Sequence, residues 1–102
     1  MSEDAELHIF RIVQELTNNA MKYSQAKNVE ISLLHENKNY QIIYNDNGVG
    51  FDINDNKFVA GLGLKNIKAR TQILGGTYIV KSTVNVGSDW IITLPLKQIQ
   101  IL

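Results

Sequence analysis

No cysteine occurs in this chain. That excludes disulfides and thiolate metal sites, and it suits a reducing compartment. Neither charge sign is in excess, since ten Lys and Arg balance ten Asp and Glu. No global field therefore draws the protein to nucleic acid or to an anionic membrane, and a phosphate-bearing ligand has to be held by local geometry. No apolar run approaches the roughly 20 residues that span a bilayer. The opening residues, M-S-E-D-A-E-L-H, are acidic where a secretory signal would be basic. Proline appears once, and no low-complexity segment, linker or internal repeat interrupts the chain. These absences leave a soluble, cytoplasmic protein as the expectation. At 102 residues, positions 1–102 form a single domain with one core, burying roughly 60% of the unfolded surface.

Residues from Ser2 to Tyr23 read as one long amphipathic helix, with Ser2 or Asp4 as N-cap and acidic residues at the positive end of the dipole. Ile9, Ile12, Val13, Leu16 and Ala20 fall on one stripe that needs a sheet to cover. Two alternating segments, Val29 to Leu34 and Tyr40 to Tyr44, form a hairpin through H-E-N-K-N, which puts His35 in the turn. Thr77 to Val84 and Asp89 to Leu96 form a second hairpin through N-V-G-S. Trp90, Ile92, Leu94 and Leu96 line one face of its last strand. Between the hairpins lie a glycine-bearing loop and a helix from Leu62 to Leu74, which Gly75-Gly76 stops. The order helix, two strands, helix, two strands gives an α/β (α+β) two-layer sandwich: a mixed, largely antiparallel sheet with helices on one face.

Three stretches carry the chemistry. In Q-E-L-T-N-N-A-M-K-Y-S, Glu15, Asn19, Lys22 and Tyr23 share an arc of roughly 100° beside the apolar stripe. They are either a solvated face with a Glu–Lys pairing or the wall of a cleft. In D-N-G-V-G-F-D, the Asn-Gly pair would suit a tight hairpin. The polar run that follows is poor strand material, so the glycines need another reason. Gly48 and Gly50 permit left-handed backbone and close approach to a ligand. Asp46, acceptor-only when ionised, can receive the exocyclic amine of adenine but not the carbonyl of guanine. In G-L-G-L-K-N, glycines lead directly into a helix N-terminus, whose free N–H groups and dipole suit an anion. The stretch lacks the lysine–serine or lysine–threonine pair of a phosphate loop, and it is not a dinucleotide fingerprint either.

In this order, the three stretches make residues 7 to 96 resemble the ATP-binding domain shared by sensor histidine kinases, DNA gyrase, the ninety-kilodalton heat-shock chaperones and mismatch-repair proteins, the Bergerat-type fold. Q-E-L-T-N-N-A-M-K-Y resembles the N box, D-N-G-V-G-F-D the first glycine box and G-L-G-L the second. The context G-L-G-L-K-N-I-K-A-R-T-Q-I-L-G-G-T, followed by a hairpin ending in L-P-L, is similar to the nitrate-sensor and thermosensor branch of kinases. Residues 97–102 are a tail.

The resemblance implies ATP and Mg²⁺ as cofactors. It implies that Asn19 ligates the metal, that Lys22 neutralises phosphate charge and that Tyr23 flanks the base or ribose. Glu15 matches the glutamate that activates water in ATPase members, or else it organises the metal's water shell. Asp46 reads adenine, and Gly48 and Gly50 open its loop to the base. Gly61, Leu62, Gly63 and Leu64 match the phosphate-contacting loop at the mouth of the lid. Thr93, with the strand register open, is a weaker candidate for a water-mediated adenine contact.

Departures from the family pattern are equally informative. The lid, Ile53 to Ala60, is short, with Phe58 as a vestigial phenylalanine box or an apolar anchor. The strand that commonly precedes the first helix is missing. So is the phospho-accepting histidine domain: His8 and His35 lack its context. The implied enzyme is a protein histidine kinase represented by its ATP-binding domain alone. The implied partners are ATP, the histidine-containing dimerisation domain of a parent kinase and, indirectly, a response regulator, with no nucleic acid; the parent is free to be membrane-anchored. The alternative is a stand-alone regulator of the same fold, resembling anti-sigma serine kinases.

Overall fold

The structure, a computed structural model, describes residues 3–36, 38–55 and 63–95. Helix α1 runs Glu3–Asn19, so Asp4 lies within the helix rather than capping it, and Ser2 falls outside the described residues. The expected continuation to Tyr23 is not α-helical. Ala20–Ser24 forms a π-turn that ends at Gln25 in the left-handed region, φ 51°. The Ser24 hydroxyl donates to Ala20 O at 2.7 Å and accepts the Ala26 N–H at 3.1 Å, which closes the wider turn with a side chain.

Strands β1 (Val29–Glu36) and β2 (Asn39–Asp46) form the first hairpin. His35 belongs to β1 rather than to the turn: it pairs with Tyr40 and stacks on its ring at 4.5 Å. Helix α2 runs Leu64–Ile73, two residues later than expected at its start, and Gly75 at φ +72° follows its end. Strands β3 (Thr77–Thr83) and β4 (Gly87–Pro95) complete a four-stranded sheet in the order β1-β2-β4-β3. Gly87 and Ser88 therefore belong to β4, and the turn is Val84 to Val86. The expected mixed sheet is, among the described residues, antiparallel at every pairing.

The core lies between the sheet and the two helices. Ile12 and Leu16 of α1 are fully buried, with Ile9, Val13 and Ala20 packed beside them, so the whole predicted stripe faces inward. Leu64, Ile67 and Thr71 face inward from α2. The Thr71 hydroxyl is satisfied by donation to Ile67 O at 2.8 Å, as a buried polar group requires. Tyr40, Ile42 and Tyr44 of β2 meet Trp90, Ile92 and Leu94 of β4 on the helix-facing side. Leu33 in the edge strand β1 stays exposed, although its alternation is sound. Leu96, Phe58 and the tail lie outside the described residues.

Candidate functional site

Alternate residues of a strand share one sheet face, and the register stacks them into rows. On the helix-facing side one row is Leu33–Ile42–Ile92–Tyr78 and the next is Ile31–Tyr44–Trp90–Val80. The row after these is Val29–Asp46–Ser88–Ser82, and it is polar in every strand but the edge strand β1. The same alternation that buries Ile42 and Tyr44 therefore carries a carboxylate onto the core face at the end of β2.

Asp46 is only 5% exposed, and a buried charge needs donors. Oδ2 accepts the Tyr44 hydroxyl and Oδ1 accepts the Gly48 N–H at 2.9 Å. Each oxygen keeps further lone-pair capacity. The Tyr44 phenol is pushed well above its ordinary range, first by burial, then by its hydrogen bond to Asp46 and by that residue's charge. It therefore remains a donor at neutral pH.

Asp46 floors a cleft with about 400 Å³ of free space, part of it open to solvent. Leu16, Tyr44, Phe51, Leu64 and Trp90 supply apolar walls, and Asn19, Tyr23, Ser24 and Ser88 supply polar points. An apolar slot that ends in an acceptor-only carboxylate fits a flat heteroaromatic ring bearing an amino group.

The π-turn decides which N-box residues reach this cleft. On a continued α-helix, Lys22 and Tyr23 would both stack near Asn19. The i→i+5 spacing of a π-turn instead brings Tyr23 and Ser24 to the cleft with Asn19, and Lys22 is left exposed outside the lining. Glu15 stands one turn before Asn19, half-buried, against the start of α2. A Cβ built on Gly63 would lie 2.6 Å from Glu15 Oε2, and Gly63 itself has φ +68°. Glu15 and Gly63 thus meet at the junction of the helices, beside the cleft, while Leu64 reaches its wall. Gly61 and Leu62 lie outside the described residues.

The glycines of the first box have a packing reason, and of the two only Gly50 adopts the left-handed backbone. A Cβ on Gly48 would fall 2.0 Å from Ser24 O, and one on Gly50, at φ +61°, would fall 2.1 Å from Thr83 O. The loop is thus wedged between the π-turn and the β3–β4 turn. It is also stitched there: Val49 N–H donates to Ser24 O at 2.7 Å, Asn85 N–H to Val49 O at 2.6 Å and Phe51 N–H to Ser82 Oγ at 2.8 Å. Asn47 does more than space the box, since its Oδ1 accepts the Lys27 and Asn28 N–H groups at 3.1 and 3.0 Å. Asp52 Oδ1 accepts the Asn54 N–H at 2.9 Å and so starts the turn beyond the box.

Thr93 is corrected by the register. It lies on the sheet face away from the helices, where its hydroxyl accepts the Gln41 amide at 3.4 Å. The polar residue that β4 contributes to the cleft is Ser88, five positions earlier. The sequence reading also missed Ser24, Tyr44 and Phe51 as lining residues. The alternation already noted for Trp90, Ile92 and Leu94, extended one step back, points to Ser88. His8 contacts Arg70 of α2, Nδ1 to Nη1 at 3.0 Å, away from the cleft. Among the described residues no three or more His, Asp or Glu side chains gather as a metal-binding cluster, and no helix is long and apolar enough to cross a membrane.

Comparison with known proteins agrees with this geometry. Over 93 residues the chain is 34% identical to the oxygen sensor histidine kinase NreB of Staphylococcus carnosus, covering 91% of this chain and 27% of that protein. Over 94 residues it is 31% identical to the signal transduction histidine-protein kinase/phosphatase DegS of Brevibacillus brevis, covering 92% and 24%. It thus spans about a quarter of the length of these curated relatives. In fold it matches the histidine kinase domain of the blue-light activated kinase from Erythrobacter litoralis EL346 with a TM-score of 0.79 at 21% identity, covering 93% of this chain and 46% of that one. Residues 4–98 match the family described as histidine kinase-, DNA gyrase B- and HSP90-like ATPases. With the fold, the cleft and nearly the whole length in agreement, the chain belongs to that ATP-binding family.

Proposed function

We propose that this chain is the ATP-binding catalytic domain of a two-component sensor histidine kinase, acting on the cytoplasmic side. It would present the γ-phosphate of ATP to a histidine on a separate dimerisation domain of the same kinase, with a response regulator downstream. The observation that carries the reading is the buried carboxylate of Asp46 at the floor of an apolar cleft whose rim holds Asn19. In this reading Asp46 accepts the adenine amine, Tyr44 and Gly48 hold its carboxylate in place, and Tyr23 flanks the base or ribose. Gly50 keeps the loop seated. Leu64 closes the wall, and the free amides at the start of α2, behind Gly63, face the phosphates; Gly61 and Leu62 join this loop on the family motif alone.

Asn19 offers a neutral amide oxygen at the rim, and among the described residues no cluster of three or more carboxylates or histidines gathers there. That donor set fits Mg²⁺, which takes few protein ligands and relies on phosphate oxygens and water for the rest. When bound, the metal supplies charge neutralisation at the phosphates. Lys22, exposed on the π-turn, adds positive charge near the rim, and Glu15 orients water beside Asn19. Phosphoryl transfer depends mostly on positioning and charge stabilisation, and this chain's residues provide both without an acceptor of their own.

The sensor-kinase relatives favour this reading over a stand-alone serine kinase regulator. Incubation with γ-labelled ATP separates the two. Alone, the chain should bind nucleotide and turn it over little; with the dimerisation domain of the parent kinase added, acid-labile phosphohistidine should form. Label on serine instead, or no label on histidine with both parts present, would overturn the assignment.

A further inference from the structure

Adenine presents an amino donor beside a ring-nitrogen acceptor at N1, so its recognition calls for an acceptor and a donor side by side. Asp46 supplies the acceptor. Four hydroxyls line the cleft with it: that of Tyr23, which is exposed, and the buried ones of Ser24, Tyr44 and Ser88. The Ser24 proton is committed to Ala20 O and the Tyr44 proton to Asp46. Ser88 is the cross-strand partner of Asp46 and is buried with it. Its hydroxyl contacts that of Ser82 at 2.8 Å, a contact in which either oxygen can donate. What Ser88 offers the cleft therefore depends on Ser82.

Ser82 lies one strand further from the cleft, opposite Ser88, and does not line it. Its oxygen accepts the Phe51 N–H at 2.8 Å. Its single proton has two acceptors within reach, Ser88 Oγ at 2.8 Å and Gly87 O at 3.3 Å. The shorter contact has the usual length of an O–H···O bond. Donation from Ser82 to Ser88 occupies a lone pair on Ser88 and leaves the Ser88 proton free to point toward the base.

We propose that Ser82 is a positioning residue for adenine recognition: it anchors the glycine loop through Phe51 and, by donating to Ser88, makes the Ser88 hydroxyl the donor that meets the ring nitrogen beside the adenine amine, directly or through one water. This deepens the adenine reading of the cleft and rests on it. Ser82 reads the base only through Ser88, and the polar row Ser82–Ser88–Asp46 is the unit that does so.

The test measures affinities of the 102-residue chain for ATP, GTP and 1-deaza-ATP, which carries C–H in place of N1. Wild type should prefer ATP over 1-deaza-ATP by roughly threefold to tenfold, the size of one net hydrogen bond. Ser82→Ala should bring that ratio close to one while the preference for ATP over GTP persists. Ser82→Thr, which keeps the hydroxyl and suits a strand, should retain the wild-type ratio. A merely structural role would lower the melting temperature without moving the ratio. Should Ser82→Ala not fold, Ser82→Cys, with its weak S–H donor, is expected to lower the ratio. An unchanged ratio in the alanine or cysteine variant, or a wild-type ratio of one, overturns the inference. Wild type that binds GTP as well as ATP counts against the adenine reading itself, and this inference falls with it.

Discussion

At the scale of single residues, the site depends on one buried carboxylate and the groups that donate hydrogen bonds to it. Tyr44 and Asp46 are separate in role but coupled in energy. The phenol gives its proton's hydrogen bond to the carboxylate, and burial beside that charge resists its ionisation. A group whose folded pKa is raised stabilises the fold fully below its unfolded value, and that contribution is lost as pH rises further. The unfolded value for tyrosine is near 10.0. Urea unfolding from pH 8 to 12 should therefore show wild type losing stability relative to Tyr44→Phe above about pH 10, with a constant difference below it. A difference that does not change with pH would contradict the coupling. Asp46 was legible in the sequence because an acceptor at a strand end, followed by glycines that close no hairpin, calls for a ligand. Ser24 and Ser82 were not legible: serine is unremarkable by type, and only the π-turn and the strand register bring these two to the site.

At the scale of elements, the helices and strands followed from periodicity, and the departures came from places where periodicity is silent. The apolar stripe of α1 was visible and faces inward as expected. The π-turn was not visible, because nothing in A-M-K-Y-S breaks an α-helix by propensity. Its cause is tertiary: Ser24 O receives the Val49 N–H at 2.7 Å and packs directly on Gly48, and the Ser24 side chain closes the turn. The first glycine box and the end of α1 thus shape each other. Gly48→Ala should force a methyl group into Ser24 O, costing roughly 1–3 kcal/mol as overpacking does, and should weaken nucleotide binding along with stability. Denaturant titration checks the first effect; wild-type stability in that variant would show that the loop is not wedged as described. The Thr93 correction has the same origin. One step of register moves a side chain to the opposite face of a sheet, and sequence alone left that step open.

At the scale of the whole molecule, a neutral chain without cysteine or a spanning helix among its described residues holds its candidate ligand by local geometry alone. One layer of helices over a four-stranded antiparallel sheet leaves a cleft at the end of β2. There the polar row interrupts the apolar rows, and the three motifs, distant in sequence, converge: Asn19 and Tyr23 from the N box, Asp46 and Gly50 from the first glycine box, Leu64 from the second. Their order along the chain was enough to suggest the family, while the cleft between them appeared only with the fold. The central claim is that this cleft binds an adenine nucleotide through Asp46. Calorimetric titration of wild type and Asp46→Asn with a non-hydrolysable ATP analogue and Mg²⁺ tests it most directly. Wild type should bind, and Asp46→Asn should bind at least about tenfold more weakly, as loss of a charged hydrogen-bond acceptor requires. Equal affinity in the two proteins, or no binding by wild type up to millimolar nucleotide, would contradict the account.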